Sequence, residues 1–214
     1  MYNEAIEYSD RVLSIDPNNL DALNNKGKAL NELGRYEEAI EYYDRILAIE
    51  PDYFDALIGK GDALYYLNRY QQAIEYYDRA LAVDPNYTYA LASKGDALDR
   101  LGRYEEAIEY YDRALAVDPN YTYALRGKGL SLNNLGRYEE AIEYYDRALA
   151  IDPNDVSALN GKGFALNNLG RNEEAIEYLD RALAIDPNYS PALTNKGAAL
   201  NYLGRNEEAI EYYD

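Results

Sequence analysis

The chain has 214 residues, of which 21 are basic and 39 acidic, for a net charge of −18. It contains no cysteine and no histidine, which excludes disulfides, thiolate metal or redox sites, and the commonest general base and transition-metal ligand. No run approaches the roughly 18 apolar residues of a membrane span; the start, Met1-Tyr2-Asn3-Glu4, has neither a basic region nor an apolar signal core, so a cytoplasmic chain is expected.

Six of the seven prolines fall on one 34-residue period: Pro17, Pro51, Pro85, Pro119, Pro153 and Pro187. A period of this size predicts a helical repeat array rather than a globular domain. Setting each proline at repeat position 32 divides the chain in order. Residues 1–19 form a leading half-repeat that carries only the second helix. Full repeats span 20–53, 54–87, 88–121, 122–155 and 156–189, and a truncated sixth spans 190–214. All are expected to join in one continuous solenoid domain.

Within each repeat two amphipathic helices, A and B, are predicted. In the fourth, Ala124, Leu125, Gly129, Leu132 and Leu135 share one helical stripe, and Ala141, Ile142, Tyr145, Ala148 and Leu149 share another. Gly136 stops helix A in the left-handed conformation, as do Gly34, Gly102, Gly170 and Gly204, with Asn68 as the substitute in the second repeat. Glu139 and Glu140 suit the start of helix B. Glu143 and Arg147 are spaced for an i,i+4 pair, and Asn154 is placed to cap the next helix. Position 8 is always glycine and position 20 always alanine. Small residues at both places predict a close approach of helices A and B.

These residues resemble the tetratricopeptide repeat family over essentially the whole chain. Gly at 8, Ala at 20 and 27, and Pro at 32 match its pattern in nearly every copy. Position 24 holds Tyr43, Tyr77, Tyr111, Tyr145 and Tyr213, with Ser9 and Leu179 departing. Position 4 is leucine rather than tryptophan, 11 is leucine rather than tyrosine, and 7 is lysine rather than leucine. The resemblance implies an all-α fold, a right-handed α-solenoid superhelix of 34-residue helix-turn-helix repeats. Helix A of each repeat would line a concave groove that binds a protein segment.

Most of the acidity is one motif copied, and it disfavours nucleic acid as a partner, because phosphate binding needs basic stripes. Lysine at position 7 recurs as Lys26, Lys60, Lys94, Lys128, Lys162 and Lys196. Either it forms an anion-binding row, or its stem packs and its ammonium meets a carboxylate of the preceding helix B, such as Asp44 for Lys60 or Asp112 for Lys128. The 26 tyrosines are mostly periodic, which suits packing with the hydroxyls reaching polar partners. Paired acids such as Glu105-Glu106 recur at helix starts; with no histidine, phosphate loop or activated nucleophile, no enzyme activity, cofactor or metal is expected.

Function is sought where the copies differ. Positions 2, 5, 9, 12 and 13 share a face of helix A and are the least repetitive columns. They supply the candidate groove residues Ile58, Asp62, Tyr65, Tyr66, Tyr89, Asp96, Asp99, Tyr123, Arg126, Leu130 and Phe164. Relatives that clamp a terminal carboxylate use lysine, arginine and asparagine in such columns; Ile58, Asp62, Ala92 and Asp96 stand there instead, so that specificity is not expected. The lining is acidic in the first three repeats and apolar towards the middle, which suits a basic partner with an apolar anchor. The reading is a non-enzymatic interaction scaffold that holds a peptide or partner segment. The alternatives are a structural array that self-associates head to tail through uncapped terminal repeats, or a regulatory array of a larger protein.

Overall fold

In the computed structural model, residues 1–212 are described; Tyr213 and Asp214, the sequence's last position-24 tyrosine and its chain end, lie outside them. Among the described residues thirteen α-helices follow one another: α1 Tyr2–Ile15, α2 Leu20–Glu32, α3 Tyr36–Ile49, α4 Phe54–Tyr66, α5 Tyr70–Val83, α6 Thr88–Arg100, α7 Tyr104–Val117, α8 Thr122–Asn134, α9 Tyr138–Ile151, α10 Val156–Asn168, α11 Asn172–Ile185, α12 Ser190–Tyr202 and α13 Asn206–Ile210. No strand occurs among the described residues. The even-numbered helices are helix A, the odd-numbered ones helix B. The helices form two compact units, one of Met1–Arg103 and one that begins at Tyr104. Within each, consecutive helices pack together, and each helix A also touches the next helix A, as α2 touches α4 and α8 touches α10.

Each A-to-B turn passes through one left-handed residue. Gly34, Gly102, Gly136, Gly170 and Gly204 have φ between 72° and 75°, and Asn68 replaces them at 59°. In most repeats the B-to-A turn is closed by the aspartate before the proline. Asp152 Oδ1 accepts from the Asn154 backbone N–H at 3.0 Å, and Asp84, Asp118 and Asp186 do the same for Asn86, Asn120 and Asn188. Asn154 is therefore held in the turn and does not cap the next helix. The residue after it does: Asp155 accepts from Ala158 N–H at 3.0 Å, as Asn19 accepts from Ala22 N–H. Arg147, expected to pair with Glu143, donates instead to the carbonyl of Pro119 at 3.1 Å, tying helix B to the preceding turn. Arg181 reaches Pro153 in the same way.

The position-24 tyrosine is the central packing element. Tyr43, Tyr77, Tyr111 and Tyr145 are almost wholly buried. A Cβ on Gly27 would lie 2.7 Å from the Tyr43 ring, and one on Gly59, in the next helix A, 2.4 Å from it. Tyr145 is held the same way between Gly129 and Gly161, at 2.8 and 2.4 Å. The glycine at position 8 thus makes room for this ring, rather than for the alanine at position 20 as the pattern suggested. The ring's hydroxyl is then bonded across the repeat boundary. Asn133 Nδ2 reaches Tyr145 Oη at 3.2 Å and the Gly161 carbonyl at 3.1 Å, and Asn31 bridges Tyr43 and Gly59 likewise.

The lysines at position 7 are packing residues. Lys26, Lys60, Lys94, Lys128 and Lys162 are buried, and each ammonium pairs with an aspartate of the preceding helix B: Asp10, Asp44, Asp78, Asp112 and Asp146. The far side is closed by a tyrosine face of the following helix B, as Lys60 Nζ lies 4.3 Å from the Tyr76 centroid and Lys26 Nζ 4.5 Å from that of Tyr42. Burial alone would lower the Lys26 pKa, but Asp10 and Tyr42 outweigh it and the net shift is upward. At the two ends, where uncapped terminal repeats would self-associate, the apolar side chains are only partly open. Val12 and Ile210 are exposed, whereas Ala199 is buried inside its helix pair.

Two outcomes follow. Gly161→Asn should overpack the Tyr145 slot and cost about 1–3 kcal/mol in denaturant unfolding. Adding Tyr145→Leu should restore part of it, because Leu179 and Asn195 already occupy this pair of positions one repeat later. Asp44→Ala should destabilise more than Lys60→Met, by about 1 kcal/mol, because the first leaves a buried ammonium unpaired while the second keeps an apolar stem; parallel urea titrations decide.

Candidate functional site

A cavity of about 580 Å3 lies in the first unit. It is built from the groove side of α2 and α4, the start of α3 and the entry to α6. Lys28, Asn31 and Glu32 come from α2, Tyr36 and Tyr43 from α3, Phe54, Asp55, Ile58, Gly59, Asp62 and Tyr66 from α4, and Tyr87 and Tyr89 from the α6 entry. The 34-residue period repeats the helix geometry, so these residues face one space because their positions differ in identity, not in direction.

Aromatic rings form the walls. Tyr36 and Tyr66 stack at 5.1 Å with an interplanar angle of 11°. Phe54 meets Tyr87 edge-on at 4.9 Å, and Tyr87 lies 6.2 Å from Tyr89. Tyr66 remains 61% exposed, so its ring is available to a ligand. Asp62 lies on the floor. Its Oδ1 accepts the Tyr77 hydroxyl at 2.9 Å, and the Tyr89 hydroxyl also bonds to it. Burial pushes the Asp62 carboxyl up to about 6, although both phenols favour its ionised form. The Tyr89 phenol is pushed well above its ordinary value, by burial first and by the Asp62 charge second. At the rim Lys28 Nζ bonds Asp55 Oδ2 at 2.6 Å, and Asn24 Nδ2 bonds the same oxygen at 3.2 Å. The Lys28 hydrogen bond, opposed by burial, holds the Asp55 carboxyl below the usual range. Tyr2 donates to Glu32 Oε2 at 3.1 Å. The one cation of the cavity is thus neutralised by Asp55, while Asp62 and Glu32 meet only neutral hydroxyls.

Of the sequence's candidates, Ile58, Asp62, Tyr66 and Tyr89 meet in this cavity. Tyr65 and Asp96 lie beside it and bind each other: Tyr65 Oη donates to Asp96 Oδ2 at 2.9 Å and accepts from Arg100 Nε at 3.1 Å. Burial and the Asp96 charge push Tyr65 up to about 12. Asp99 is buried and offers little surface to a ligand. In the second unit, Arg126 Nη1 sits 3.3 Å from the buried Asp155 that caps α10. Tyr123 packs 6.0 Å from Tyr121, and Phe164 lies 6.4 Å from Tyr138. Leu130 is exposed. Sequence reasoning missed Tyr36, Phe54 and Tyr87 as cavity walls, since positions 17, 1 and 34 lie outside the five columns taken as the groove face. The signal for Tyr87 was present: that column varies from Asn19 to Tyr53, Tyr87, Tyr121, Asp155 and Tyr189.

The tetratricopeptide repeat pattern matches residues 18–86, 58–122, 93–156, 128–190 and 178–211. The chain belongs to the tetratricopeptide repeat family. Among solved structures, this tetratricopeptide repeat chain is similar to such a protein from Parabacteroides merdae, with a TM-score of 0.80 and 19% identity, covering 99% of this chain and 90% of that one. It is similar to pilF of Pseudomonas aeruginosa, with a TM-score of 0.78 and 22% identity over 90% of this chain and 88% of the other. It is also similar to YrrB, described as a TPR protein with an unusual peptide-binding site, with a TM-score of 0.67 and 24% identity over 88% and 97% of the two chains. At these identities the likeness establishes the fold: all-α, with helix pairs stacked as in a repeat solenoid. No curated protein matches the sequence. No helix among the described residues is long and apolar enough to cross a membrane.

The raised carboxyl has a measurable cost. A carboxylate whose folded pKa lies above its unfolded value opposes folding once ionised, so its contribution to stability falls as pH rises from about 4 to about 6. Asp62→Asn keeps an acceptor for the two phenols and removes the charge. It should stabilise the protein by about 1–3 kcal/mol at pH 7.5 and by nothing measurable near pH 3.5. Thermal unfolding of both proteins at the two pH values checks this.

Proposed function

We propose that this chain is a non-enzymatic protein-interaction scaffold that holds an extended or helical segment of a partner protein on its helix A face, with the α2–α4–α6 cavity as the main contact. The observation that carries this reading is an aromatic-walled cavity whose floor carboxylate has no cationic partner. A partner with basic residues and an apolar anchor complements it: the anchor meets the rings and the basic residues meet an acidic surface. Nucleic acid does not complement it, since acidic side chains repel phosphates. Ile58, Tyr66 and Tyr89 would serve as apolar contacts, and Asp62 as the acidic one. Tyr65, Asp96 and Asp99 stay in the proposal as the margin of this cavity, the buried Asp99 as a support; Tyr123, Arg126, Leu130 and Phe164 are proposed as contacts on the helix A face of the second unit by itself. We place the protein in the cytoplasm on the same footing, as a scaffold without cofactor or metal.

A second reading is self-association head to tail, supported by Tyr8 and Ile15 in α1 and by Tyr202 and Ile210 at the other end, all strongly exposed. The same exposed side chains would suit a regulatory array continued in a larger protein.

A peptide-library screen against the wild type and the Asp62→Lys, Asp96→Lys variant tests the scaffold reading. Captured peptides should be enriched in lysine or arginine beside an apolar residue, and the variant should bind them at least tenfold more weakly. Peptides captured equally by both proteins would reject the groove. Sedimentation at rising concentration tests the second reading; a chain that stays monomeric throughout would sink it.

A further inference from the structure

We propose that the α2–α4–α6 cavity is a subsite for one cationic side chain of the bound segment, an arginine guanidinium or a lysine ammonium, held by the Asp62 carboxylate between tyrosine faces. This deepens the scaffold reading and rests on it.

Three observations converge. Asp62 is bonded only by the neutral hydroxyls of Tyr77 and Tyr89. A carboxylate with two such donors keeps acceptor positions free, and its charge is uncompensated. The rings of Tyr66, Tyr87 and Tyr89 surround the same space and are at least 36% exposed, so their faces can receive a cation. The chain itself shows that this chemistry holds cations. In the lysine ladder, an ammonium sits between an aspartate and a tyrosine face, as Lys60 sits between Asp44 and Tyr76. The cavity offers the same two components, a carboxylate and tyrosine faces, in one space. Its volume of about 580 Å3 leaves room for the whole side chain and the adjoining backbone.

The repeats show why only one such subsite is expected here. Position 9 reads Lys28, Asp62, Asp96, Leu130, Phe164 and Ala198. Lys28 brings its own cation, Asp96 has the Arg100 guanidinium beside it on the Tyr65 hydroxyl they share, and the last three have no charge. Asp62 is the carboxylate of that column that opens into the described cavity.

Occupancy is coupled to protonation. A cation favours ionised Asp62, so binding near pH 6 releases a proton and affinity falls in acid. The other charged or titratable groups around Asp62 are Tyr77 from α5, Tyr36 and Tyr43 from α3, Tyr66 from its own helix, Tyr87 and Tyr89 at the α6 entry, and Glu32, Lys28 and Asp55 at the rim. Burial raises the tyrosines above their ordinary value where a shift is resolved, and the Lys28 hydrogen bond lowers Asp55. None of these shifts moves a group towards pH 6, so Asp62 sets the pH response.

The test is an NMR titration of the full chain with N-acetyl-arginine amide, N-acetyl-lysine amide and the uncharged isostere N-acetyl-citrulline amide. The wild type and Asp62→Asn are compared at pH 7.5 and 5.0, beside the library screen. Saturable shifts should centre on Tyr66 and Tyr89. Citrulline should bind the wild type, and either cation the variant, at least tenfold more weakly. Cation binding to the wild type should weaken about tenfold from pH 7.5 to 5.0, and binding to the variant should not. Arginine and lysine arms show which cation fits better. Library peptides captured without any preference for cation over citrulline, or with no loss in Asp62→Asn, would overturn the subsite and leave the scaffold standing. Failure of the screen to yield any peptide that depends on the groove would overturn the scaffold reading, and the subsite with it.

Discussion

A buried tyrosine ring pressed against two backbones sets the spacing of this array. Tyr43 lies where a Cβ on Gly27 or on Gly59 would intrude, so one ring fixes both its own helix A and the next one. With that spacing set, an asparagine side chain such as Asn31 can span from the ring's hydroxyl to the neighbouring backbone carbonyl. The lysine of the same helix can reach an aspartate on one side and a tyrosine face on the other. Each of these contacts joins three helices, so a repeat gains its stability from its neighbours rather than from its own two helices.

The period alone revealed the fold because every copy repeats the residues that need it. Glycine at position 15 announces a left-handed turn, and proline at 32 ends helix B. The lysine ladder was legible for a similar reason: six identical lysines on a packing flank require a repeated carboxylate, and Asp44 and Asp112 supply it. What stayed hidden depended on contacts between copies. The glycine at position 8 was matched to an alanine, because both are small, whereas the structure pairs it with the bulky side chain at position 24, such as Tyr43 or Leu179. The exchange of Tyr145 and Gly161 for Leu179 and Asn195 is visible in the sequence only when positions 24 and 6 of successive repeats are compared.

The candidate site shows the same division. Ile58, Asp62, Tyr66 and Tyr89 could be found because helix A positions 2, 5, 9 and 13 share a face. The sequence could not tell which members of those columns would be consumed internally. Arg126 reads as a groove residue but is spent on the aspartate that caps α10, and Asp96 is tied through the Tyr65 hydroxyl to the nearby Arg100. Conversely Tyr87, in a turn, closes a wall because helix α6 begins just beyond it.

The contrast between two sets of acids ties stability to binding. Asp44 and its copies are half-exposed and face buried ammonium groups, so their charge is used within the fold. Asp62 lies deeper, on the cavity floor, and is given phenols instead of an ammonium. Tyrosine hydroxyls satisfy its hydrogen bonds but cannot cancel its charge, which is why burial raises its pKa rather than an ion pair lowering it. Replacing it by asparagine would keep those hydrogen bonds and remove the electrostatic cost, so folding alone gives no reason for a carboxylate there. An incoming cation does, since it would supply at the cavity what lysine supplies at every repeat boundary.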